Sequence, residues 1–142
     1  MTAHLRRTLT VLLSVLLLAG CYSEEEIAAT RDALDQLETD LLDDHPELTD
    51  VDANYDVSTG FDNVGQIYIV ADANLDSDDH GRALVETIAE QTWHSQLPQI
   101  SGLRVDIRQE GTQERHTLTD VLDARVVRRD VLEGRFGPRD QD

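Results

Sequence analysis

Lysine is absent from this chain, and cysteine occurs once, at Cys21. A single thiol excludes any intramolecular disulfide, so a folded domain must be held by its core alone. No histidine or cysteine has a partner at H-x-x-x-H or C-x-x-C spacing, so the compact patterns of structural zinc are missing. Twelve arginines are the whole basic complement against 29 acids, a formal charge of −17. That balance excludes nucleic acid as a partner, because phosphate contacts need patches of Lys and Arg. There is no G-x-S-x-G elbow and no Gly-rich phosphate loop, and no enzyme is expected. Long apolar runs are lacking too. None reaches the roughly 20 residues that a hydrocarbon core demands.

The longest apolar run lies at the N-terminus. Arg6 and Arg7 precede it, and it extends from about Leu9 to Gly20, dominated by Leu and Val. About 12 residues are too few to span a bilayer, so the pattern reads as an export signal. It closes on Leu18-Ala19-Gly20-Cys21, which resembles a bacterial lipobox. The resemblance implies cleavage before Cys21 and a diacylglycerol on its thiol. Residues 1–20 would then be a lipoprotein signal peptide, and 21–142 a single extracytoplasmic domain at the cell membrane. Two acyl chains, at about 0.8 kcal/mol per buried CH2, suffice for stable anchoring. The arginine-only basic set fits a GC-rich coding genome, such as an actinobacterium's, so the chain resembles a small bacterial lipoprotein. The partners implied are membrane lipid, through an acylated Cys21, and an unidentified envelope protein or ligand. Two of the arginines and none of the acids precede Cys21, which leaves −19 on residues 21–142. Such a charge is repelled by anionic head groups, so the lipid is expected to act as a tether.

Beyond Cys21, Ser23 and Glu26 form a capping box. Ile27, Thr30, Leu34, Leu37 and Leu41 then mark one face of a helix over 24–43, which His45-Pro46 ends. Residues 51–57 alternate as a half-buried strand. Turn residues 58–63 and a β-branched segment 64–73 complete a hairpin whose second strand is the more buried. Asp76 to Asp79 cap a second helix running to about Gln96, lined by Leu84, Val85, Ile88, Ala89, Thr92 and Trp93. Leu103, Val105 and Ile107 alternate with Arg104, Asp106 and Arg108 in a third strand. Residues 115–121 read as a short edge strand or a helical turn. A short helix from Asp130 to Phe136 stops at Gly137, and a tail follows to 142. The order helix–strand–strand–helix–strand predicts an α+β two-layer sandwich. Both helices should lie on one face of a mainly antiparallel sheet, with a short C-terminal helix. The arrangement is similar to ferredoxin-like and related small sandwiches, which host many functions.

Two acidic groups are candidates for chemistry. Asp72, Asn74, Asp76 and Asp78 have the spacing of EF-hand ligands at positions 1, 3, 5 and 7. Position 6, which needs Gly, is Ser77, and position 12, which needs a bidentate Glu, is Ala83. A strand end followed by a helix cap explains the run better. The second group is Asp40, Asp43, Asp44, His45, Glu47, Asp50 and Asp52, read as a solvated turn. Ser77, Asp78 and His80 are close in sequence, but triads are assembled by the fold. His94 lies beside Trp93, His116 in the ambiguous region, and Trp93 is read as a core anchor. The sequence therefore predicts a lipidation site at Cys21, no catalytic or metal residues and no cofactor. The expected function is a non-catalytic interaction or structural module of the envelope. The alternative is a lipoprotein that weakly binds a divalent cation or small ligand.

Overall fold

In the computed structural model the described residues are 24–56 and 65–139. Cys21, the Ser23 cap and the turn residues 58–63 lie outside them. The first helix, α1, is Glu24–Asp44, with Glu24, Glu25 and Glu26 in its first turn. Those carboxylates face the positive end of the helix dipole. Thr30, Leu34, Leu37 and Leu41 are buried, at steps of four, three and four residues. The Thr30 hydroxyl donates to the Glu26 carbonyl (2.9 Å), so its burial leaves no polar group unmet. Ile27, on the same stripe, is 44% exposed. It stands at the mouth of a groove and not in the core.

Strand β1, Leu48–Asp56, pairs antiparallel with β2, Gln66–Ala73. The bonded strand begins three residues earlier than the alternation suggested, with a register irregularity between Leu48 and Asp50. Strand β2 alternates half-buried and buried residues along its whole length, so neither of its faces is fully wetted. Helix α2, Asp78–Trp93, follows, and then β3, Gly102–Gln109, which pairs parallel with β2. A parallel neighbour needs a crossover of a dozen or more residues, and α2 supplies it. Strand β4, Arg115–Thr117, pairs antiparallel with β3 and runs directly into the single turn α3, Leu118–Val121. The ambiguous region is therefore edge strand and helical turn in succession. Helix α4, Arg129–Phe136, ends at Gly137 with φ +83°, a conformation that favours glycine.

The result is an α+β sandwich with a four-stranded, mostly antiparallel sheet in the order β1-β2-β3-β4. Val51, Ala53, Ile67, Ile69, Ala71, Leu103, Val105 and Ile107 face one side and are all buried. α1 packs beside β1 and α2 beside β3, and their apolar stripes join those strands in one core. The element order differs from the β-α-β-β-α-β of ferredoxin-like folds. Here β2 and β3 are immediate neighbours, so the βαβ unit is not split.

Helix α2 is shorter than expected. It ends at Trp93, not near Gln96, with His94 as its C-cap. At its other end Ser77 is the N-cap, accepting from the His80 backbone N–H (3.2 Å). Gly81 follows because His116 of β4 lies flat against the helix there. A Cβ at Gly81 would fall 2.4 Å from His116 Cδ2. Gly81→Ala should raise helix propensity by about 1 kcal/mol yet lose about 1–3 kcal/mol to overpacking. The expected net result is a lower melting temperature. In the background of His116→Ala the same substitution should become stabilising. A thermal melt of the single and double variants checks both signs.

Candidate functional site

The two acidic groups meet at one end of the molecule, where the C-terminus of α1, the start of β1, the end of β2 and the start of α2 converge. The backbone fixes the meeting: Asn74 N–H donates to the Glu47 carbonyl (2.9 Å), and Leu48 N–H to that of His45 (3.0 Å). The side chains do not gather as an EF-hand run would require. Asp72 projects onto the opposite face of the sheet, where Arg108 holds it through two hydrogen bonds of 2.8 and 3.1 Å. Asp76 instead accepts from His80 Nδ1 (2.8 Å) and the Ser77 hydroxyl (3.2 Å). The His80 hydrogen bond, then its charge when protonated, then Ser77 hold the Asp76 carboxyl below its ordinary range.

Glu47 occupies the centre of this pole. Its Oε1 lies 3.5 Å from His80 Nε2 and 3.9 Å from His45 Nδ1. The outer nitrogen of each ring is already engaged. Gln91 Nε2 donates to Asp44 Oδ2 (2.8 Å), which turns its Oε1 toward His45 Nε2 at 3.1 Å. Asp44 accepts only, so the reverse amide orientation would set two acceptors against each other. His45 therefore donates from Nε2 to Gln91. His80 likewise donates from Nδ1 to Asp76. Glu47 and His45 belonged to the acidic turn, and Asp76 and His80 to the loop. Nothing in the sequence brings the two together, and Gln91, 46 residues from His45, carried no signal at all.

A concavity of about 400 Å³ opens between the first half of α1 and the outer edge of β1. Ile27, Leu34, Ala53 and Tyr55 contribute apolar lining, and Glu26, Asp35, Glu38 and Asp52 line it together with one cation, Arg31. Glu38 accepts from the Ala53 backbone N–H (2.6 Å), which blunts the exposed sheet edge.

The sheet face opposite the helices carries a charge ladder. Asp106 was expected to point to solvent, and it is 6% exposed. Arg104 covers it through bonds of 3.1 and 2.8 Å to Oδ2, with Arg115 at 3.7 Å. The hydrogen bond to Asp106, then its charge, raise the Arg104 guanidinium pKa further. Trp93 is fully buried, and its Nε1 donates to the Gly137 carbonyl (2.8 Å). His94 Nε2 lies 3.1 Å from the Phe136 carbonyl. Ser77, Asp78 and His80 form no relay, since the Ser77 hydroxyl caps α2 and donates to Asp76. Among the described residues no helix is long and apolar enough to cross a membrane. No protein family, no curated protein and no solved structure matches this chain.

Proposed function

We propose that the chain is a membrane lipoprotein, held to the extracytoplasmic face of the cell membrane by an acylated Cys21. Its domain is a non-catalytic module that acts by contact with another envelope component. The observation that carries this reading is Leu18-Ala19-Gly20-Cys21 at the end of a short apolar run. Helix α1 begins at Glu24, three residues beyond Cys21. That link spans at most about 10 Å, so α1 rises close to the bilayer and its groove opens at the anchored end. The occupant that suits the groove is an extended, Arg- or Lys-bearing segment of an envelope protein. The support is charge complementarity: four carboxylates and one Arg line it beside the apolar residues.

Cys21→Ser should release the protein from the membrane fraction or leave uncleaved precursor, because the thiol is the attachment point. Fractionation and detergent partitioning read the result, and a processed, membrane-bound mutant would sink the anchor. A photo-crosslinking residue at Ile27 should capture a discrete envelope protein, and Asp35→Arg should abolish capture. The same probe at Val126, exposed but outside the groove, should capture nothing. Capture indifferent to the Asp35 charge would refute the groove.

A further inference from the structure

We propose that the groove beside α1 takes its occupant as an added strand: an extended segment of alternating apolar and basic residues pairs with the outer edge of β1 and displaces Glu38 from the Ala53 N–H. The inference rests on the groove reading above and names how that occupant is recognised. Among the described residues β1 is an edge of the sheet, with β2 as its one neighbouring strand. Along an antiparallel pair, residues that exchange N–H and C=O bonds across the ladder alternate with residues that turn both groups away. Ala53 stands opposite Ile69, yet its N–H donates to Glu38 Oε1 (2.6 Å). Ala53 therefore belongs to the second kind, and its N–H and carbonyl both face outward on a residue that lines the groove. Such an edge is a template for one more strand.

Glu38 is a removable cover on that template. Its carboxylate takes the place that the carbonyl of a further strand would take, and it does so from a flexible side chain of α1. An incoming strand gives its own carbonyl to the Ala53 N–H and donates an N–H to the Ala53 carbonyl. The displaced carboxylate is then available to a cationic side chain of the newcomer. Main-chain bonds of this kind give affinity, and alternate side chains give specificity. The partner residue opposite Ala53 shares its face, so its side chain turns to the α1 wall, which includes Ile27 and Leu34. Its two neighbours turn to the other face of the sheet, beside the exposed Asp52. The pattern that fits is therefore apolar, basic, apolar. A second copy of this chain is a poor occupant, because three aspartates within Leu48–Asp56 would set like charges against each other across a β1–β1 pair.

The test uses the full chain in non-ionic detergent and a short blocked peptide of alternating Val and Arg, made in three forms. One is unmodified, one carries N-methyl groups on its valines, and one carries them on its arginines. An added strand turns only one of these two sets of N–H groups toward β1. The unmodified peptide should bind one-to-one by calorimetry. Methylation of the valines should weaken it about 10-fold or more, and methylation of the arginines should be tolerated. All three carry the same charge, so diffuse attraction to an acidic chain treats them alike, and equal affinities would overturn the strand. Amide hydrogen exchange gives a second readout. In Glu38→Ala the Ala53 N–H should exchange fast in the free protein and slow once the unmodified peptide is added, and an amide that stays fast would also overturn the proposal. Ala53→Pro, which removes the donor on an edge strand where proline is tolerated, should bind the peptide weakly. If that variant fails to fold by circular dichroism, the methylated peptides decide the matter. Binding that is lost in Asp35→Arg but indifferent to methylation keeps the groove and overturns the strand, whereas no saturable binding of any form overturns both.

Discussion

Ile88→Asp is expected to leave the domain unfolded at room temperature. Ile88 is completely buried, on the face of α2 that carries Val85, Ala89 and Trp93 into the sheet. An aspartate there would find no partner, and an isolated buried charge costs several kcal/mol even after it neutralises itself. Loss of the isoleucine's packing adds about 2–5 kcal/mol, by analogy with truncation to Ala. Domains of this size have only about 5–15 kcal/mol in hand. Circular dichroism should show no cooperative melt. Two companions make the result specific. Ile88→Val should cost only about 0.5–1.5 kcal/mol. Ile27→Asp, on the exposed part of α1, should stay within about 0.5 kcal/mol of the parent. If Ile88→Asp melts like the parent, the α2 face is not core and the sandwich is wrongly built.

The contrast between Ile27 and Ile88 shows what was legible in the sequence. Both sit on stripes at helical spacing, and periodicity alone ranks them equal. What separates them is where the sheet ends, a property of other segments. Local signals did well wherever one turn of chain holds the information. The Ser77 cap, the His45-Pro46 break and the Gly137 stop all appear where expected. Signals that depend on distant segments did not. The length of β4, three residues, is too short to show a period of two. Asp106 alternates with Val105 and Ile107 like a wetted residue, but two arginines, one of them from β4, cover it.

The site divides in the same way. Residue types were readable, because Glu47, His45, Asp76 and His80 all fell inside segments that stood out for their acids. Their convergence was not, because it depends on β1 and β2 pairing so that Leu48 meets Ala73. That register brings the turn before β1 against the loop after β2. The parallel pairing of β2 with β3 sets Asp72 beside Arg108, so the run that looked most like a calcium loop is pulled apart by the pleat of its own strand.

The carbonyls at and just beyond the end of α2 are met by another long-range contact, from Arg139. The last carbonyls of a helix lack internal partners. Here the Trp93 carbonyl accepts from Arg139 Nε (2.7 Å), and those of Ser95 and Leu97 accept from Nη2 (3.1 and 2.6 Å). The guanidinium also lies 5.4 Å from the centre of the Trp93 ring, and Arg139 is 5% exposed. One side chain from the end of the chain therefore caps a helix more than 40 residues upstream, and its charge suits the negative end of the dipole. Arg139→Ala should strand buried carbonyls at about 1–3 kcal/mol each, for a total near 3–5 kcal/mol. In a domain of this size that is a fall in melting temperature of about 10–20 °C. Trp93 is the single tryptophan, so its emission should shift to the red as water reaches the ring. Arg139→Lys keeps the charge but cannot reproduce the planar fork, and it should fall between the two. A lysine variant as stable as the parent would show that charge alone matters. A melt of Arg139→Ala within about 2 °C of the parent, well below the expected fall, would mean that water satisfies these carbonyls and that the strap from Phe136 to Arg139 contributes little.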